Sequence, residues 1–205
     1  MNKEKLAEFI GIMLGDGNLY QNKEKGHYMI RITGHLIDDK EHHELHVRSL
    51  FLDLFKKEMR VKCYKDRRVL YYYGKEIFNQ LLDFGLISGN KLKNNIKIPE
   101  WIFANKGYIK ACIRGLVDTD GSVFPKSRNK NMPQIEICCK IPHLQNSISR
   151  AFSIIDIKAS KWSRSNTPNS GIYSQKEIFK YWNLVGFNNP KHSRKFREIY
   201  HALVV

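Results

Sequence analysis

Acidic side chains are scarce: 20 Asp and Glu stand against 35 Lys and Arg, a formal net charge of +15. That balance excludes an acidic chaperone and a disordered solvating segment. Cysteine is scarce too. Four in 205 residues, none in a CxxC pair, make neither a disulfide framework nor a zinc site, and the adjacent Cys138-Cys139 cannot bridge with ordinary geometry. No apolar run approaches the ~18 residues of a membrane helix. Met1–Lys5 leads straight into an amphipathic segment without a signal peptide's apolar core, so a soluble, intracellular, unsecreted protein is expected. Walker and dinucleotide glycine patterns are missing, and nothing places a histidine beside a serine or cysteine nucleophile. What remains is a basic globular chain, 42% hydrophobic and so able to fill an interior, whose natural partner is a polyanion.

The chain also repeats itself. Phe9-Ile10-Gly11-Ile12-Met13-Leu14-Gly15-Asp16-Gly17 aligns without gaps on Ile113-Arg114-Gly115-Leu116-Val117-Asp118-Thr119-Asp120-Gly121, an offset of 115 − 11 = 104. Lys75-Glu76-Ile77-Phe78 returns as Lys176-Glu177-Ile178-Phe179, Gly85 as Gly186, and Lys91 as Lys191. Four markers in one order indicate a duplicated unit, with the halves at 1–100 and 101–205.

Periodicity gives each unit its shape. In the first, a helix over 3–14 ends at Gly15-Asp16-Gly17, strands follow at 18–20 and 28–33, then a helix at 38–57 burying Leu45, Leu50, Leu52, Leu54 and Phe55. Strands at 61–64 and 69–73 and a helix at 75–84 complete it. The second runs as helix 106–118, strands 122–126 and 134–140, helix 143–154, strands 157–163 and 171–174, helix 175–185. The class is α+β, an αββαββα order taken twice. The apolar join at 99–105 is no free linker, so the halves should pack together.

Ala7, Gly11 and Gly15 form a four-spaced ridge of small side chains, and Ala111, Gly115 and Thr119 form its counterpart. Such ridges let helix backbones approach closely. If they meet, Asp16 and Asp120 become neighbours at the end of a central helix pair. Two carboxylates about 4 Å apart repel by roughly 4 kcal/mol at an effective dielectric of 20. The repulsion is relieved by protonating one or by binding a divalent cation. Oxygen-only ligands with open positions suit magnesium, and in a strongly basic protein that points to metal-assisted phosphodiester chemistry.

The two glycine-acid segments, each opening a ββαββα block, resemble the signature motifs of the LAGLIDADG homing endonucleases in their single-chain form. The resemblance implies a pseudo-twofold monomer whose two antiparallel sheets form a saddle over double-stranded DNA. It also implies cleavage of both strands of a long asymmetric site, leaving short 3′ overhangs. Asp16 and Asp120 would hold Mg2+, helped by the carbonyls of Gly15 and Thr119. Mn2+ would substitute, and Ca2+ would support binding without cleavage. Asp118 fills a motif position the family does not use as principal ligand. Matching the family's basic positions gives Lys91 and Lys191, with His35 and Lys140 at the ends of the second strands, as the supporting catalytic residues.

Strand alternation puts Tyr28, Ile30 and Ile32 toward the core and Arg31 and Thr33 outward; Gln134 and Glu136 alternate with Ile135 and Ile137 in the second half. Those outward residues would read bases. Lys23, Lys25, Lys65, Arg67, Arg68, Lys126, Arg128, Lys130, Lys158, Lys161 and Arg164 would straddle phosphates. With about one helical turn per half, the site would span roughly 20 bp and be non-palindromic. The alternative is a non-cleaving binder on the same scaffold, a repressor or an intron maturase with intron RNA as ligand. Glu41-His42-His43-Glu44-Leu45-His46 has two histidines one turn apart but no HExxH spacing, and is expected to be a solvated helix face.

Overall fold

The computed structural model describes residues 1–126, 132–164 and 167–201. Arg128 and Lys130 lie outside the described residues, as does the side chain of Arg164. The elements are α1 (Lys3–Leu14), β1 (Gly17–Asn22), β2 (His27–His35), a π-helical segment His42–Val47 running into α2 (Arg48–Phe55), β3 (Arg60–Cys63), β4 (Arg67–Tyr73) and α3 (Lys75–Asp83). A 3-10 turn, Glu100–Ala104, leads to α4 (Lys106–Asp120), β5 (Gly121–Pro125), β6 (Pro133–Cys138), α5 (Pro142–Ile154), β7 (Ser160–Arg164), β8 (Thr167–Ile172), α6 (Gln175–Leu184) and α7 (Pro190–His201). Two four-stranded antiparallel sheets result, in the orders β1-β2-β4-β3 and β5-β6-β8-β7. The α+β repeat read from the sequence is therefore the architecture.

The two central helices start at asparagine caps. Asn2 Oδ1 accepts from the backbone N–H groups of Glu4 and Lys5, both at 3.0 Å, and Asn105 Oδ1 accepts from that of Gly107 at 2.7 Å. The helices pack on each other along the small-residue ridges. A Cβ on Gly11 would stand 2.1 Å from the Cys112 carbonyl oxygen, and one on Gly115 would stand 2.3 Å from that of Glu8. Only glycine permits backbones this close. A continuous apolar core including Phe9, Ile12, Ile30, Leu70, Ile113, Leu116, Ile137 and Phe152 spans both halves.

Three local readings need correction. The segment expected as one helix over 38–57 contains a π-helical stretch, which turns its buried face. Leu45 and Leu52 are exposed, while His42, His43, Val47 and Phe51 are buried. The histidine stretch is thus no solvated face. α7 was not expected at all, although Asn189 caps it by accepting from the Lys191 N–H at 3.0 Å and Pro190 opens its first turn. Strands β7 and β8 also sit at 160–164 and 167–172 rather than 157–163 and 171–174.

Candidate active site

Each motif aspartate ends a central helix or follows it, immediately before the first strand of a sheet: Asp16 before β1 and Asp120 before β5. The close helix pair therefore brings both carboxylates to one place. Asp16 is half-buried, and its carboxyl is pushed up to about 7 by burial first, then by the negative charges of Asp120 and Asp39; Lys91 and Lys191 oppose the shift. Asp120 is open to solvent at the rim, yet surrounding protein lifts its carboxyl as well, with Lys91 opposing. Mutual repulsion of this kind is what a cation between two acids relieves. Among the described residues no group of three or more His, Cys, Asp and Glu side chains could hold a metal. An ion here would draw its other ligands from carbonyls, water and phosphate, a donor set that suits magnesium.

Both repeat-related lysines reach the acids, by different means. Lys91 Nζ donates to the carbonyls of Leu14, at 2.9 Å, and of Gly15. The Gly15 carbonyl expected to help hold a metal thus already has an ammonium partner. Burial lowers the Lys91 pKa against the pull of Asp120 and Asp16. Lys191 Nζ instead pairs with Asp39 Oδ1 at 2.8 Å. The Thr119 hydroxyl turns back into its own helix, donating to the carbonyls of Gly115 and Leu116 at 2.9 and 3.1 Å. Lys140 lines a groove of about 490 Å3 with Lys91, Asp120, Cys139 and Leu144. His35 ends β2 exposed, its Nδ1 accepting from the Asp38 N–H at 3.3 Å and lying 3.2 Å from the Asp38 carboxylate.

Sequence reasoning missed the supports. Asp39, Asn188 and Asn189 belong to no motif and lie about 150 residues apart in the chain. Asn189 Nδ2 donates to the Asp118 carbonyl at 2.8 Å and to Asp39 Oδ1 at 3.4 Å, and the Asn188 N–H donates to Asp118 Oδ2 at 2.8 Å. Asp118 is therefore a buried anchor for the turn into α7. Burial pushes its carboxyl up to about 7, against the hydrogen bonds from Asn188 and Asn189. The first copy, with apolar Leu14 at that position, has no helix equivalent to α7 to anchor.

The outer face of the first sheet carries Met29, Arg31, Thr33, Arg60, Lys62, Arg67, Val69, Tyr71 and Tyr73, around a groove of about 390 Å3. Arg60 and Lys62 were not expected there; β3 begins one residue earlier than its sequence pattern suggests, which adds Arg60, and alternation puts Lys62 on the same face. In the Tyr71–Tyr73 run, Tyr72 packs on Phe51 with centroids 5.3 Å apart, while Tyr71 and Tyr73 meet edge-on at 5.7 Å on the open face. Lys23, Lys25, Lys65, Lys126 and Lys158 are exposed, and Gln134 and Glu136 are half-exposed on β6. The Glu136 carboxylate accepts from the Tyr173 hydroxyl at 2.7 Å.

Two expected DNA contacts are overturned. Arg68 faces inward, 3% exposed, and is paired with Glu44, because β4 starts at Arg67 and alternation sends its next side chain to the core side. Lys161 lies opposite Ser170, which in turn lies opposite core residue Ile137. Its ammonium accordingly donates to Asn146 of α5 at 3.2 Å, on the helix-covered side of the sheet.

Comparison with known proteins places this geometry. Residues 107–204 match the LAGLIDADG-like domain model. The homing endonuclease I-DmoI, in a crystal structure with DNA and Mn, superposes with a TM-score of 0.67 at 18% identity, over 90% of this chain and 98% of that one. Full-length DUF199/WhiA from Thermatoga maritima superposes with a TM-score of 0.58 at 17% identity, over 99% of this chain and 61% of that one. A DNA polymerase of Thermococcus hydrothermalis is 26% identical across 95% of this chain, which spans only 12% of the polymerase's length. No described helix is long and apolar enough to cross a membrane. Residues 107–204 thus carry a LAGLIDADG-like domain, and the first half repeats its motif and its αββαββα order in a fold shared with I-DmoI.

Proposed function

We propose that this chain is a monomeric, site-specific DNA endonuclease whose halves, 1–100 and 101–205, each cover about one helical turn of a non-palindromic site of roughly 20 bp. The observation that carries the reading is the pairing of Asp16 and Asp120, with Asp16 held at about 7 by burial and the facing acids. A pure binder has no use for two carboxylates that repel each other and the DNA. The I-DmoI structures with Mn and Ca support divalent metal at such a site.

When bound there, Mg2+ supplies charge neutralisation of the scissile phosphate and a lowered pKa for the attacking water. Asp16 and Asp120 would hold it through carboxylate oxygens, with the Thr119 carbonyl alongside and the Gly15 carbonyl shared with the Lys91 ammonium. Lys91 and Lys191 place positive charge where phosphorane charge develops. Neither is a free base, since one is engaged by carbonyls and the other by Asp39. Lys140 adds charge at the rim of the groove, and His35 stands at the matching strand end. Arg31, Thr33, Arg67, Gln134 and Glu136 face the duplex, with Lys23, Lys25, Lys65, Lys126 and Lys158 along its phosphates. Cutting across both strands leaves short 3′ overhangs, Mn2+ replaces Mg2+, and Ca2+ supports binding alone.

The test is cleavage selection from a randomised plasmid library with Mg2+ and with Ca2+. Discrete double-strand cuts in Mg2+ alone, abolished by Asp16→Asn or Asp120→Asn while Ca2+-supported binding survives, are expected. Binding without cutting in either metal would replace the nuclease by a repressor or maturase, with intron RNA as the next ligand to try.

A further inference from the structure

Asp39 is a carboxylate that neither motif contains. It sits in the turn after β2, 9% exposed, and donors converge on it from both halves. Oδ2 accepts from the His35 N–H at 2.7 Å; Oδ1 accepts from Lys191 Nζ at 2.8 Å and Asn189 Nδ2 at 3.4 Å. Gly34 makes room, since a Cβ there would stand 2.9 Å from Asp39 Cβ. In the second half the site is built differently. Gly34-His35 aligns with Cys139-Lys140, an offset of 139 − 34 = 105, so the counterpart of Asp39 is 39 + 105 = 144, an apolar Leu144 on the groove beside Asp120. The counterpart lysine, Lys91, is fixed by two backbone carbonyls.

We infer that Asp39 is a positioning residue for Lys191, fixing that ammonium beside Asp16 so that cleavage of one DNA strand depends on Asp39 and cleavage of the other does not. The inference rests on the endonuclease reading. A lysine stem is long and flexible, and an ammonium anchored at one point is aimed as well as charged. Three N–H donors are available and Asp39 takes one, which leaves the others for phosphate oxygens. A displacement of about 1 Å at such a group can cost on the order of a hundredfold in rate.

The site recovered from the plasmid library by the wild-type chain, labelled in turn on each strand, provides the test. For Asp39→Asn in Mg2+, single-turnover cleavage of one strand should slow by about ten- to a hundredfold while the other stays within about twofold. Nicked plasmid should accumulate, and both the melting temperature and Ca2+-supported binding should stay close to wild type. Lys191→Met should slow the same strand, which keeps the test decisive if the Asp39 variant folds poorly. Equal slowing of both strands, or none, would overturn the inference while leaving the endonuclease standing. If the wild-type chain cuts nothing in the library, the endonuclease reading fails and takes this inference with it.

Discussion

Glu8 and Arg114 form an ion pair across the two central helices, Oε2 to Nη2 at 2.5 Å, with the carboxylate 5% exposed. The same carboxylate lies 2.5 Å from His46 Nε2 and accepts from Asn188 Nδ2 at 2.6 Å. Burial raises the Glu8 carboxyl, but the His46 and Arg114 contacts outweigh it and hold Glu8 at about 2. The pair breaks the pseudo-symmetry, because position 8 matches Cys112 and position 114 matches Ile10. One specific arrangement of the two halves therefore satisfies both charges.

Arg114→Ala leaves the buried carboxylate only His46 and Asn188 and should cost about 2 to 3 kcal/mol, whereas Glu8→Ala leaves a partly hydrated guanidinium that still donates to the Val185 carbonyl and should cost somewhat less. Urea unfolding of both single variants and the double variant measures the coupling. A coupling below about 0.5 kcal/mol would place this pair with ordinary surface bridges.

The buried histidines should each cost stability in acid before ordinary carboxylates titrate. Burial lowers His42 to about 3 and His43 and His192 to about 4, from 6.5. Neighbouring charges help: His46 and His43 at His42, Arg68 and Lys191 at His43, and Lys191 at His192. Asp39 opposes the shift at each site, joined by Glu8 at His42 and by Glu44 at His43. Below about pH 6.5 the unfolded chain takes up protons that the native state refuses, so stability falls with pH through that window. Glu8 adds a further loss between 4.5 and about 2 by the same sign, since the unfolded carboxylate protonates first. The raised Asp16 and Asp118 act with the opposite sign, since their native carboxyls protonate first at about 7 and offset part of that loss. The histidine contribution is therefore read as a difference: His192→Gln should lessen the fall of the melting temperature between about pH 6.5 and 4 relative to wild type, and an unchanged fall across that window would contradict the buried histidine.

The central glycines test the helix approach. Alanine ordinarily gains about 1 kcal/mol over glycine inside a helix. At Gly11 and Gly115 the added Cβ meets backbone, which cannot step aside, so both variants should instead lose about 2 kcal/mol or more. Stabilisation of either by alanine in chemical denaturation would mean that the helices do not touch there.

What the sequence disclosed follows range and periodicity. The doubled motif, the ridge of small residues and the alternation of Tyr28–Thr33 are local signals, and they fixed the fold and the position of Asp16 and Asp120. Asp39 and Asn189 were invisible because no local pattern joins residues 150 positions apart. α7 was missed although Asn189-Pro190 is a sound helix start; the repeat frame, which has no seventh helix, obscured it. Arg68 was misplaced because β4 already runs from Arg67 where a turn was expected, and Lys161 because the face it takes follows from its pairing opposite Ser170, which no local pattern shows; adjacent strand residues point to opposite faces.

Adjacent arginines on β4 put that last point to experiment. Arg67 is exposed on the outer face, its guanidinium 5.1 Å from the Tyr64 ring centre, and shares the groove with Arg31. Arg68 is buried against Glu44, which Arg48 Nη1 also holds at 2.6 Å. Arg67→Ala should change stability by no more than about 0.5 kcal/mol. It should also weaken DNA binding and reduce the slope of log affinity against log salt by about 1. Arg68→Ala should do the opposite: a loss of about 3 kcal/mol in unfolding free energy, since Glu44 loses its inner partner and a cavity opens. At temperatures where that variant stays folded, its DNA affinity and salt slope should match wild type. Fluorescence anisotropy on the selected site across a salt series, beside urea melts of the same samples, separates the two roles. If Arg68→Ala lowered the salt slope while Arg67→Ala did not, the register of β4 and the DNA face built on it would both be wrong.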